Sequence, residues 1–324
     1  MEYTRLGSSG LKVSRIALGT MGFGTPPDPE AGWPLTEEAS QPFFQQAVEL
    51  GITFWDTANA YVDGSSEEVV GRAIRKYARR EDIVLATKVY FPMHDGPGGS
   101  GLSRKAILEQ IDASLTRLGV DHVDLYQIHR FDYETPVEET MEALHDVVKA
   151  GKVRYLGASS MWAWQFAKLQ HTADRGGWTR FVSMQNQYSL LQREEEREMF
   201  GLLADQGVGS IPWSPLAKGW VARPWQTRTS RTGVDRLHPA LRRGGREPAD
   251  RRGRAAGGRG PRGADGPGRA GLGAEEPSVA APIVGPSKPE HLTDAAAAVE
   301  LELSAEEIEI LERPYTPRLP SAFK

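Results

Sequence analysis

The sequence predicts an α/β fold, a (β/α)8 TIM barrel preceded by a β-hairpin, on three observations. Short apolar runs alternate with longer helix-type segments along most of the chain, and strict βα alternation is the signature of a parallel sheet. Eight such runs can be counted, the number that closes a barrel on itself. Glycines (Gly51, Gly119, Gly151 and Gly207) stand where helices should stop, because glycine readily takes the left-handed conformation that ends a helix. A doubly wound open sheet is the competing architecture. The length of 324 residues suits one large barrel, and 1–324 is expected to form a single domain.

Residues 3–15 read as a small hairpin turning at Ser8-Ser9-Gly10. The first barrel strand is Ile16–Thr20, ending in the loop Met21-Gly22-Phe23-Gly24, which lacks the spacing of a phosphate loop. Helix signals follow at 36–50, 65–80, 103–119, 137–150, 162–175 and 193–206. They separate apolar runs at 52–56, 83–89, 123–128, 153–158, 181–186 and 208–213, and the eighth run is 281–285. Ser65-Ser66 before Glu67-Glu68, Ser103 before Arg104, and Pro136 mark helix starts.

One segment breaks the pattern. Between Gln226 and Glu276 there are 12 Arg and 12 Gly, but only Val234, Leu237, Leu241 and Leu272 are large apolar residues. Such a stretch has no stripe with which to cover a strand, so the seventh helix is missing where the alternation requires it. Read one base out of frame, 266–276 is compatible with Ala-Gln-Val-Ala-Leu-Ala-Trp-Val-Leu-Lys, an amphipathic helix ending just before a strand. A frameshifted segment is therefore expected, against the plainer reading of a basic Arg/Gly-rich insertion. The native frame would resume near Pro277-Ser278-Val279.

A net charge of −4 gives no reason to expect nucleic acid or an acidic membrane as partner. The absence of cysteine excludes disulfides, thiolate nucleophiles and cysteine-ligated metals. Met1–Arg5 lacks the apolar core of a signal peptide and no run approaches membrane-spanning length, so a cytoplasmic location is expected. Oligomeric state is not legible.

Four polar residues fall at consecutive strand ends. Asp56 ends the second barrel strand in Trp55-Asp56-Thr57-Ala58-Asn59-Ala60-Tyr61, and Tyr61 lies in the loop behind it. Lys88 sits in Ala86-Thr87-Lys88-Val89 and His129 closes Tyr126-Gln127-Ile128-His129-Arg130. Singly, each has an ordinary explanation: a turn aspartate, a packed tyrosine, a snorkelling lysine, a hydrogen-bonded core histidine. Together at the C-terminal mouth of a barrel they read as catalytic. They suit proton transfer to a carbonyl oxygen. A free phenol ionises near ~10, a neighbouring ammonium favours phenolate, and a carboxylate holds the ammonium. A histidine adds a donor toward the developing alkoxide. No metal is expected, since His129 lacks companion ligands.

Asp-Thr-Ala-x-x-Tyr, Ala-Thr-Lys and a strand-end histidine, in this order, resemble the aldo-keto reductases, (β/α)8-barrel enzymes that reduce aldehydes and ketones with NADPH. The resemblance spans 1–225 and 277–324. It is carried further by Ser65-Ser66-Glu67-Glu68, Gln127-Ile128-His129-Arg130, Gly157-Ala158-Ser159-Ser160-Met161 and Trp213-Ser214-Pro215-Leu216-Ala217. It is most similar to a bacterial branch associated with 1-deoxyxylulose 5-phosphate, and more distantly to potassium-channel β subunits. The resemblance implies a catalytic tetrad of Asp56, Tyr61, Lys88 and His129, with Tyr61 as general acid toward a small carbonyl substrate. It implies that Gly19, Thr20, Met21 and Asp56 lie near the nicotinamide ribose, and that Ser159, Ser160 and Gln185 hold the carboxamide. Trp213 would stack on the nicotinamide, and Ser214, Leu216 and Lys218 would contact the pyrophosphate. Gly285, Ser287 and Lys288 would hold the adenosine 2′-phosphate, where helix amides and a cation suit an anion; the alternative role for Ser287 is to cap the helix that follows.

Two departures stand out: the missing seventh helix, and His291 and Ala295 where the family often has Gln and Asn near the adenine. Phe91, Trp162 and Trp220 are candidates for an aromatic wall around the substrate. Two rival readings are a cofactor-binding regulatory protein like the channel β subunits, and an inactive product of a frameshifted reductase gene.

Overall fold

The computed structural model describes residues 1–26, 33–221, 276–320 and 323. The chain opens with an antiparallel hairpin, β1 (Tyr3–Arg5) and β2 (Lys12–Ser14), in which Thr4 faces Val13. Eight parallel strands follow: β3 (Ala17–Gly19), β4 (Phe54–Asp56), β5 (Val84–Val89), β6 (Val123–Ile128), β7 (Val153–Ser159), β8 (Phe181–Gln185), β9 (Gly209–Ser210) and β10 (Ile283–Val284). Each strand pairs with the next in sequence, and β10 returns to pair with β3. Parallel bridges Ser210↔Val279 and Trp213↔Ile283 join β9 to the β10 side and complete the ring.

Helices α1 (Glu37–Glu49), α2 (Ser65–Tyr77), α3 (Arg104–Leu118), α4 (Val137–Lys149), α5 (Ala163–Gly176) and α6 (Met199–Gln206) follow β3 to β8 in turn. Two more, α7 (Glu290–Ala298) and α8 (Ala305–Glu312), come after β10. Among the described residues no helix is long and apolar enough to cross a membrane. The 226–276 stretch, with the expected loss of the seventh helix, lies outside the described residues apart from Glu276.

The helix boundaries follow local chemistry. The side chains of Thr36 and Ser103 accept from the backbone N–H groups of Ala39 and Ala106, capping α1 and α3. Gly119 and Gly207 take left-handed conformations at the C-termini of α3 and α6. Gly71 is needed for proximity rather than for its torsions: a Cβ there would stand 2.0 Å from the Leu118 carbonyl oxygen, so the close approach of α2 to the end of α3 requires a glycine at this position.

The strands obey the period of two that a barrel demands. Phe54, Ala86 and Leu125 point inward, in one buried cluster with Leu6 and Val13 of the hairpin region. Trp55, Leu85 and Tyr126 point outward against the helices. The hairpin turn rests on the start of β9, where Ser8 N–H donates to Gly207 O at 2.7 Å, and Tyr3 Oη donates to Gly51 O just ahead of β4. The hairpin therefore covers the N-terminal end of the barrel. The opposite, C-terminal mouth is where the loops gather.

Candidate active site

The same alternation delivers the polar residues. One step of two beyond the inward Phe54 is Asp56; beyond Ala86 is Lys88; beyond Leu125 is Gln127. All three side chains enter the barrel at its C-terminal end, and all are 2% exposed or less. Lys88 Nζ donates to Asp56 Oδ2 at 2.6 Å, to Thr57 O at 2.8 Å and to Tyr61 Oη at 3.0 Å. Asp56 Oδ1 accepts from Gln127 Nε2 at 3.0 Å and from Gln185 Nε2 at 2.9 Å. A buried ion pair is tolerated when its remaining hydrogen-bonding capacity is met, and here it is. His129 stands beside the group, its ring 5.6 Å from that of Tyr61 in an edge-to-face arrangement. The structure thus brings Asp56, Tyr61, Lys88 and His129 together.

A supporting shell fixes these positions. Ser66 Oγ donates to Thr20 O at 2.9 Å and lies 3.1 Å from both Thr20 Oγ1 and Thr57 Oγ1, tying α2 to the loops after β3 and β4. Glu67, wholly buried, accepts from Arg117 Nε at 2.7 Å and from Thr87 Oγ1 at 2.5 Å, next to Lys88 in β5. Ser66 and Glu67 belong to a motif quoted above, and their work is to hold neighbours of the site.

The electrostatics differ from the sequence expectation in one respect. Burial pushes the Tyr61 phenol up, and the pull of the Lys88 ammonium does not overcome it. The expectation that the ammonium makes phenolate accessible at neutral pH is therefore corrected: the dry setting outweighs one cation. Burial works against the Lys88 ammonium too, but the Asp56 charge and then Tyr61 outweigh it and leave its pKa raised. Burial, with the nearby cations Lys88 and Arg130, drives His129 well below the usual imidazole value, so the ring is neutral at pH 7. Its Nδ1 is buried and has no hydrogen-bond partner among the described residues.

The expected cofactor residues ring the same mouth. Ser159 Oγ donates to Gln185 O at 2.7 Å and lies 3.2 Å from Ser160 Oγ, which in turn accepts from Trp213 Nε1 at 3.1 Å. Gln185 Nε2 is committed to Asp56 and to Gln127 Oε1 (3.1 Å), so only its carbonyl oxygen is left for a carboxamide. Thr20 donates to Asp56 O, whereas Met21 is 41% exposed. Gly19 has a packing reason of its own, since a Cβ there would lie 2.7 Å from Ile283 Cγ2. Leu216 packs on a small cluster of Leu191, Ala217, Trp220 and Val221. Gly285, Ser287 and Lys288 are exposed beyond β10. Ser287 does not cap the following helix: α7 begins at Glu290 behind Pro289, and the Ser287 N–H donates to His291 Nδ1 at 3.3 Å. Ala295 is a core residue.

Backbone strain concentrates in the same loops. Val62, Asp63, Ser160, Ser214, Ala217 and Lys218 all have φ between 47° and 57°, a region disfavoured for residues other than glycine. All six follow β4, β7 or β9 at the C-terminal mouth, and strained residues cluster at ligand-handling loops. A second concavity, between Arg193–Arg197 and α8, is less suited to chemistry. Its charges satisfy one another, Arg193 with Glu196 (2.7 Å) and Glu312 (3.0 Å), and Arg313 with Glu309 (2.8 Å).

The family model described as the aldo/keto reductase family matches residues 15–244. The chain belongs to the aldo/keto reductase family. Its relatives include the versiconal hemiacetal acetate reductase of Aspergillus parasiticus, 45% identical over 345 positions and covering 98% of each chain. An aldo-keto reductase of Fusarium vanettenii is 41% identical over 351 positions, covering 98% of this chain and 92% of its own. A Schizosaccharomyces pombe protein bearing an aryl-alcohol dehydrogenase name is 42% identical over 354 positions, covering 97% and 96%. These alignments are longer than the 324 residues here, so each contains gaps in this chain. This aldo/keto reductase is accordingly an oxidoreductase.

Sequence reasoning missed Gln127, the second amide on Asp56, although its signal was present as an amide at an inward strand position. It also missed Arg130, whose guanidinium sits 5.1 Å from the centroid of the Phe91 ring. The expected aromatic wall does not form as one surface. Phe91 packs on His129 at 4.8 Å, but Trp162 meets Phe323 and Trp220 is buried in the separate cluster around Leu191.

Proposed function

We propose that the chain reduces an aldehyde or ketone to an alcohol, with NADPH as hydride donor and Tyr61 as the proton donor. The observation that carries this reading is Lys88, whose buried ammonium touches both the Asp56 carboxylate and the Tyr61 hydroxyl. A phenol held above its ordinary value is fully protonated at neutral pH and ready to donate. An alkoxide developing at the substrate carbonyl is far more basic than a phenolate, so the transfer runs downhill. The phenolate left behind meets the Lys88 ammonium, which is where that charge matters. Neutral His129 offers a hydrogen bond to the carbonyl oxygen and adds no second acid.

NADPH supplies the hydride. The residues suited to hold it are Gly19, Thr20 and Met21 at the ribose side, Ser159, Ser160 and the Gln185 carbonyl at the carboxamide, and Trp213 against the ring. Ser214, Leu216 and Lys218 suit the pyrophosphate, and Gly285, Ser287 and Lys288 suit the 2′-phosphate. The strained loop from Ser214 to Lys218 and the tether from Trp213 to Ser160 support this assignment. The named relatives are fungal reductases and dehydrogenases; closeness to the bacterial branch rests on the motifs alone. An aromatic carbonyl substrate fits the Phe91 ring beside His129. The test is Tyr61→Phe, which leaves Lys88 its contacts to Asp56 and Thr57. Turnover should fall by about 10²- to 10⁴-fold with cofactor binding retained. Wild-type turnover in that variant would sink the assignment.

A second reading, an inactive product of a frameshifted gene, is favoured by the end of the family match at residue 244, inside the arginine-rich segment. Resequencing the DNA across codons 225–277 tests it. An uninterrupted frame with no helix-coding alternative one base away would refute it.

A further inference from the structure

Arg130 follows His129 at the mouth and differs from Arg80, Arg117 and Arg193, which are also partly buried. Arg80 pairs with Asp124 at 2.8 Å, Arg117 with Glu67 at 2.7 Å, and Arg193 with Glu196 and Glu312. Arg130 forms no ion pair among the described residues. It donates a hydrogen bond from Nη1 to the backbone oxygen of His129 and stands over the face of Phe91, the ring that also packs on the His129 imidazole. The acidic residue next along, Asp132, is engaged elsewhere: its oxygens accept from the Leu102 N–H at 2.7 Å, Thr135 Oγ1 at 2.8 Å and the Glu134 N–H at 2.9 Å. Burial disfavours the Arg130 charge, and that charge is close enough to act on both Tyr61 and His129.

A guanidinium has five N–H donors arranged to grip a carboxylate side-on. Among the described residues one donor is used, and the cation stands partly desolvated with no carboxylate partner. Partial burial of an unpaired charge is unfavourable, so a stability role does not account for it. We infer that Arg130 selects carbonyl substrates that carry a carboxylate, gripping that group while the carbonyl lies against Tyr61 and His129. Phe91, clamped between guanidinium and imidazole, sets the aromatic floor on which the link between the two groups rests. Arg130 is then a specificity residue rather than part of the proton-transfer group.

This inference rests on the reductase reading, and the test separates the two. Steady-state reduction of 2-, 3- and 4-carboxybenzaldehyde is compared with that of benzaldehyde and the methyl-substituted aldehydes, with NADPH, in wild-type protein, Arg130→Gln and Arg130→Lys. Wild type should favour at least one carboxylated aldehyde over its neutral counterpart through a lower KM. Arg130→Gln should raise that KM about 10- to 100-fold, the loss expected for hydrogen bonds to a charged group, with kcat little changed. The neutral aldehydes should keep their kcat/KM within about twofold, the charge being all that is lost, which also shows that the variant is folded. Arg130→Lys should recover part of the KM, since it restores the charge without the fork. Equal losses on charged and neutral substrates, or no preference in wild type, would overturn the inference while leaving the reductase reading intact. Absence of NADPH-dependent reduction of every aldehyde by wild type would overturn both.

Discussion

Removing either member of the Lys88–Asp56 pair tests whether the site is held together as described. Lys88→Met leaves a carboxylate that is 2% exposed with only the Gln127 and Gln185 amides as donors. Asp56→Asn leaves an ammonium that is wholly buried, facing Thr57 O and the Tyr61 hydroxyl. Stripping one partner from a buried ion pair costs about 3–5 kcal/mol, whereas replacing both with neutral groups of similar shape is often close to neutral. The double variant should therefore be more stable than either single one, and its loss should fall short of the summed single losses by about 3 kcal/mol or more. Against a total stability of about 5–15 kcal/mol, each single change is large. Urea unfolding of cofactor-free protein, followed by the fluorescence of its eight tryptophans, gives all four free energies. Additive losses would refute the reasoning, because they would mean that the two charges do not meet in the core. Reductase turnover should be lost in all three variants, which separates the stability of the pair from its use.

Two further predictions concern pH. Burial, opposed by the Asn186 hydrogen bond and assisted by Glu194, pushes the Glu195 carboxyl up to about 7 from 4.5. The folded state thus keeps a proton that the unfolded chain has lost. The contribution of Glu195 to stability should be full below an unfolded value near 4.5 and be lost as pH rises through about 7, by about 3 kcal/mol. Glu195→Gln should abolish that decline in unfolding midpoints measured at acid and at mildly alkaline pH, and an unchanged slope would count against it. Because burial and two cations keep His129 neutral, kcat for reduction should show no inflection near the ordinary imidazole value of about 6.5. An inflection there that disappears in His129→Gln would contradict the assignment.

The barrel was legible because its signals are local. Apolar runs, Ser103 as a cap and Gly119 and Gly207 as stops all act within a turn or two of the chain. Asp56 and Lys88 were legible for a related reason: a charge at the end of an apolar run has few structural uses. The expected helix at 193–206 begins later, at Met199, because Arg193 and Glu194 are drawn into contacts with Glu312 and Tyr315 more than a hundred residues away. No local pattern announces such contacts. Gln127 and Gln185 lie 71 and 129 residues from Asp56, and their convergence exists only once the ring of strands is closed. The direction of the Tyr61 shift was likewise out of reach, since it depends on how dry the phenol is as well as on which cation is near. His291 and Ala295, which the sequence resemblance set near the adenine, have other work in the fold, as a hydrogen-bond acceptor for Ser287 and as part of the core.

The most direct test of the central claim follows the hydride. Wild-type protein is given NADPH deuterated at the transferable position of the nicotinamide and an aromatic aldehyde, and the alcohol is examined by mass spectrometry and NMR. One deuterium is expected on the carbinol carbon, with turnover strongly reduced in Tyr61→Phe. Alcohol formed without deuterium from either face of the cofactor, or no alcohol formed at all, would contradict it.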